Sequence, residues 1–199
     1  MAVLAPTAAN AAIFPSLGGN TTNQLTLSAT GLSDGTNQIA TLSGGRTYMA
    51  DQPFADIPKG GITGGTFLAA GPTAGQPATL TFSRPTSYLS FLWGSPDTYN
   101  QLTVNTNVAS YIYTAATLNF ARTNGDQSFS QYVQFATTAG ELISSVNFTN
   151  VPAADAFETA NFSVTAVPEP ATWGMMLVGF GMIAATSRRR RTATKRVTA

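Results

Sequence analysis

A stretch near the C-terminus limits what the rest of the chain can be. From Ala171 to Thr186 the sequence ATWGMMLVGFGMIAAT has 16 residues and no charge. Arg188, Arg189, Arg190 and Arg191 follow almost at once, with Lys195 and Arg196 behind them. As a helix the apolar run would span roughly 24 Å, somewhat under a hydrocarbon core of about 30 Å, a mismatch that bilayer thinning can absorb. Met175, Met176, Leu177, Val178, Phe180, Met182 and Ile183 leave no polar stripe, so a half-buried helix of a globular core does not fit. The expectation is a single transmembrane helix over 171–187. Its arginine cluster would stay on the cytoplasmic side and place everything before Val167 outside.

The arginines must then be set aside when the body is judged. Before Pro168 there are four basic residues, Arg46, Lys59, Arg84 and Arg122, against eight acidic ones, a net charge of −4. No basic patch offers a footprint for nucleic acid. The chain has no His and no Cys. Ser-His-Asp and Cys-His catalysis therefore lack their base or nucleophile, and disulfides and thiolate or imidazole zinc sites are ruled out.

The segment before the apolar run is Val167-Pro168-Glu169-Pro170, with Trp173 three residues after the second proline. Pro168, Glu169, Pro170, Trp173, the apolar run through Gly179-Phe180-Gly181 and the Arg188–Arg191 cluster, in that order, resemble the PEP-CTERM sorting signal. Gly174 where Ala is common, and the extension Thr192–Ala199, are small departures. The resemblance implies a bacterial envelope protein whose tail is held in the inner membrane. It also implies a partner: an exosortase, a membrane-embedded cysteine protease-transpeptidase that recognises and processes that tail. On this reading 167–199 is the sorting signal.

At the other end, Ala9-Asn10-Ala11 reads as an A-x-A signal-peptidase site, with Ala12 as the new N-terminus. Residues 1–11 are expected to be the remnant, or c-region, of a secretory signal peptide. The body is then 12–166. Its short β-type runs lie between turn residues: Leu25–Ala29, Ile39–Leu42, Thr66–Ala69, Thr79–Phe82, Tyr88–Trp93, Tyr99–Val104, Ala109–Thr114, Phe129–Thr137, Ile143–Asn150 and Phe157–Thr165. Arg84-Pro85 is expected to turn the chain, Ala50–Gly75 to be mostly loop, and Ala153–Glu158 to form one helical turn. The apolar run from Leu89 to Trp93, with Ser90 inside it, points to a central strand covered on both sides or close to an edge loop. The fold expected is all-β, an antiparallel β-sandwich with jelly-roll-like order. Leu89–Val104 and Asp155–Glu158 also resemble secreted β-sandwich proteins that carry this kind of tail.

Candidate chemistry in the body is sparse. Asp34, Asp97 and Asp126 lie in or beside turns and are the candidates for a structural calcium ion. Tyr111 and Tyr113 share a face and, with Trp93, are candidates for stacking on sugar rings. Asp51 with Asp56, and Asp155 with Glu158, have the residue types of a glycosidase pair, but their place by turns reads as solvated loop. The function expected is that of a non-enzymatic, exported cell-envelope protein with a structural or exopolysaccharide-matrix role. A secreted carbohydrate-binding module is the alternative, and a glycan-active enzyme comes third.

Overall fold

In the computed structural model the described residues are 12–138, 140–166, 180 and 182. The chain divides after Ala166 into two units. The first is all-β: among its described residues every strand pairing is antiparallel, and the one helical element is a short 3-10 turn, Thr63–Gly65. Its strands are β1 (Ala12–Leu17), β2 (Thr26–Ser28), β3 (Gly31–Ser33), β4 (Gln38–Ser43), β5 (Arg46–Tyr48), β6 (Phe67–Ala70), β7 (Ala78–Gly94), β8 (Asn100–Thr106), β9 (Ser110–Tyr113), β10 (Ser130–Thr138), β11 (Ile143–Asn150) and β12 (Phe157–Ala166). In the second unit the described residues Phe180 and Met182 are helical and exposed. Among the described residues no helix is long and apolar enough to cross a membrane. The expected span 171–187 lies outside them, apart from Phe180 and Met182.

β7 organises the body. Its first half, Ala78–Phe82, runs between β4 and β11. Its second half, Tyr88–Gly94, runs between β10 and β12. The strands form one large sheet, and one path through it reads β2-β3-β4-β7-β11-β8-β9. The other reads β1-β10-β7-β12-β6-β5, and the two share one strand. Rings bridge them: Phe148 of β11 lies 5.4 Å from Phe91 and 5.2 Å from Phe157, and Tyr113 of β9 lies 5.1 Å from Phe135 of β10.

The expected turn at Arg84-Pro85 does not occur; the strand continues through it. Pairing with β11 jumps there from Ser145↔Thr81 to Ile143↔Thr86. Pro85 sits in the offset, where its missing N–H costs no rung of that ladder. The helical turn expected at Ala153–Glu158 is also absent, and Phe157 already begins β12. The carbonyls of Ala154 and Asp155 accept hydrogen bonds from the side chains of Asn150 and Tyr99 instead.

Burial along β7 explains its sequence. Ala78, Leu80 and Phe82 are buried and alternate with less buried residues, as for a strand with one face on the core. From Leu89 to Gly94 every residue is buried. In that half the outer side carries a second small core, built from Phe67, Ala69, Ala156 and Ala160 with Ala55, Phe54, Ile57 and Ile62 of the Gly/Pro-rich stretch. The irregular segment is thus a cover over one layer.

The hairpin β3–β4 depends on Gly31. Its φ is +126°, and a Cβ there would collide with the carbonyl of Ala40. Gly31→Ala is expected to destabilise the body by more than about 1 kcal/mol. A denaturant melt with unchanged m-value would register it.

Candidate functional site

The three calcium candidates are not brought together. Asp34 caps its own turn: Oδ1 accepts from the amides of Thr36 (2.8 Å) and Asn37 (2.7 Å), and Oδ2 from Asn37 Nδ2 (3.1 Å). The Asn37 amide, chief among these bonds, lowers its pKa. Asp126 is committed in the same way, to the Ser128 hydroxyl and amide and to the Arg122 guanidinium, and its pKa is lowered too, most by Ser128. Asp97 differs, because burial pushes its carboxyl up. Among the described residues no group of three or more acidic side chains is arranged to hold a metal ion.

Of the aromatic candidates, Trp93 is placed inward, while Tyr111 and Tyr113 are half-buried. Trp93 is fully buried and stacks on Phe157 with centroids 4.3 Å apart, so neither ring face is open to a sugar. Tyr111 and Tyr113 do share a face, but it is the one opposite Val104 and Leu102, which point into the core. Burial pushes the Tyr113 phenol up to about 12. Tyr111, less enclosed, is raised mainly by Glu141.

What the body does assemble is a polar cavity of about 320 Å³ at one end of β7. Asp56 comes from the covering segment, Ser95, Asp97 and Tyr99 from the β7–β8 turn, and Asp155 and Glu158 from the start of β12. No basic residue lines it among those described. Glu158, read from sequence as a loop carboxylate, is only 3% exposed. Its Oε2 accepts from Ser95 Oγ (2.9 Å) and its Oε1 from the Asp56 amide (3.4 Å). Desolvation pushes its pKa up to about 8, with the charge on Asp56 adding to the rise. At neutral pH it is therefore an uncharged acid. The Asp155 side chain is engaged elsewhere, accepting from the hydroxyl (2.6 Å) and amide (3.2 Å) of Thr73. Alternation with Phe157 and Thr159 puts Glu158 on the outer face of β12, which in sequence reads as exposed. It could not show that a distant segment would close over the outer face.

The decisive linear feature lies beyond β12. The sequence profile of the PEP-CTERM protein-sorting motif matches residues 166–191. The chain carries a PEP-CTERM sorting motif. That marks it as an exosortase-targeted, exported protein of the cell envelope or surface. Pro168, Glu169, Pro170, Trp173 and Arg188–Arg191 fall within the sorting motif and outside the described residues. No curated protein and no solved structure matches the chain.

Proposed function

We propose that the chain is a non-enzymatic envelope protein whose body, an antiparallel β-sandwich, is delivered to the cell surface or an exopolysaccharide matrix by processing of its tail. The observation that carries this reading is the motif match beginning at Ala166, the residue on which β12 ends. A Pro-x-Pro sequence such as Pro168-Glu169-Pro170 disfavours a regular helix, which suits it to the extended form that a protease binds. The apolar segment 171–187 serves as an inner-membrane anchor until processing, and Arg188–Arg191 hold its end inside.

Mass spectrometry of the protein from cells with and without the exosortase tests the proposal. The expected result is loss of the tail only where the enzyme is present, and retention of the tail in a Glu169→Ala variant even in its presence. An intact Ala199 end in both strains would overturn it. A carbohydrate-binding body is the alternative. It would rest on Tyr111, the candidate aromatic least committed to the core, and polysaccharide pull-down separates the two readings.

A further inference from the structure

Glu158 sits where three parts of the body meet. In the sheet it is paired with Gly94 on one side and Ala69 on the other. The covering segment 49–58 lies on this row: a Cβ on Gly94 would fall 2.9 Å from Pro58 Cγ and 3.2 Å from Glu158 Cβ. The Asp56 amide on Glu158 Oε1 ties the segment to β12, and Ser95 Oγ on Glu158 Oε2 ties the β7–β8 turn to it, beside the Tyr99 hydroxyl on the Asp155 carbonyl (2.7 Å).

The groups facing this carboxyl are of one sign. Asp56 faces it from the covering segment, Asp97 from the β7–β8 turn and Asp155 from the segment before β12, with the Tyr99 phenol beside them. On the far side of the cavity Asn124 and Gln127 are neutral, and Asp126 is tied to Arg122. Lys59 lines the adjoining cavity with Asp51 and Asp56. Arg46 is in the same cross-strand row, paired with Ala69, so it stands two strands from Glu158, about 10 Å away.

The geometry points to a proton-operated clasp: while its carboxyl is neutral Glu158 can stay buried beneath segment 49–58 and beside the β7–β8 turn, and its ionisation favours lifting that cover. A charged carboxylate here would accept the Ser95 and Asp56 bonds more strongly, but with the residue only 3% exposed and Asp56 beside it, those two donors do not make up for the hydration lost. Opening the cover is the route to hydration. The folded group titrates at about 8 against an ordinary 4.5. Below the lower value both closed and open forms hold the proton, and the clasp is at full strength. Between the two values opening releases a proton, so the opening equilibrium rises about tenfold per pH unit. Above the upper value the closed form is ionised as well and the dependence levels off.

Hydrogen exchange followed by mass spectrometry on the full chain in detergent micelles tests this, from about pH 5 to about pH 8, with rates corrected for the intrinsic pH dependence of amide exchange. Peptides covering 53–58 and 94–97 are expected to lose protection about tenfold per pH unit, while β11 keeps its own. Glu158→Gln is expected to abolish the slope. Asp56→Asn removes one facing charge without touching the carboxyl, so the total loss of protection is expected to shrink. Three results would overturn the clasp: a flat wild-type profile, a slope shared equally by β11, or a slope that survives Glu158→Gln.

Discussion

Replacing Trp93 with alanine is expected to cost the body about 3–5 kcal/mol, at the upper end for a buried aromatic. Trp93 has no exposed surface and is ringed by other aromatics. Phe157 stacks on it at 4.3 Å, Phe120 meets it edge-on at 5.2 Å, and Phe91 lies 6.3 Å away along β7. Those partners come from β12, from the β9–β10 connection and from β7, so the cavity left behind opens onto several elements and no single side chain can fill it. The indole also donates through Nε1 to Asn100 Oδ1 (3.3 Å). Trp93→Phe keeps a ring against Phe157 and loses that hydrogen bond with some volume, so it is expected to cost about 1–2 kcal/mol. Thermal unfolding of the full chain measures both, and the alanine variant should melt roughly 10 °C lower. A loss for Trp93→Ala below about 1 kcal/mol would mean that the ring is not the packing centre.

Trp93 also shows where sequence reading reaches and where it stops. The dense run Leu89–Trp93, apolar apart from Ser90, marks a strand covered on both sides or beside an edge loop, and the folded chain takes the first, because two-sided burial removes alternation. What covers the outer side is a tertiary matter. Phe54, Ala55, Ile57 and Ile62 sit among prolines and glycines with no period, and only the folded chain shows them packed on Phe67 and Ala160. The burial of Glu158 follows from the same cover and was hidden for the same reason. β8 and β11 were visible because alternate residues such as Leu102 and Val104, or Val146 and Phe148, face one core. β3 and β5 are three residues each, and Gly31–Ser33 and Arg46–Tyr48 are strands because neighbours pair with them. The straight passage through Arg84-Pro85 depends on a register offset with β11, which no local pattern encodes. The sorting motif is the opposite case. An enzyme reads it as linear sequence, so Pro168, Glu169, Pro170 and Trp173 carry their meaning without a fold.

Asn100→Ala is expected to destabilise the body by about 3 kcal/mol, because one small side chain satisfies four groups at once. Its Oδ1 accepts from the Asp97 amide (2.7 Å) and Trp93 Nε1 (3.3 Å). Its Nδ2 donates to Asn150 Oδ1 (3.0 Å) and the Ala156 carbonyl (3.3 Å). Asn100 and Asn150 are both buried, so water does not replace what is lost. Asn150 cannot turn its amide to help, since its own Nδ2 is committed to the carbonyls of Ala70 (3.1 Å) and Ala154 (2.5 Å). That constraint makes the pair cooperative: Asn150→Ala leaves one of the two Asn100 Nδ2 hydrogens without its acceptor, and the second substitution then removes a donor already half-paired. The double variant is therefore expected to lose less than the two single losses combined, by about 1 kcal/mol. Asn100→Asp sharpens the test, because it retains the acceptor for Trp93 and sets a carboxylate oxygen against Asn150 Oδ1. Burial and that opposition raise the folded pKa of the new acid above its unfolded value near 3.9. The variant should be most stable at acid pH, where both states are protonated, and lose stability as pH rises through that window. Denaturant melts of the single and double variants decide the matter. Additivity within about 0.3 kcal/mol, with a flat pH profile for Asn100→Asp, would leave the two amides as independent contacts and not as one network joining the β7–β8 turn to the start of β12.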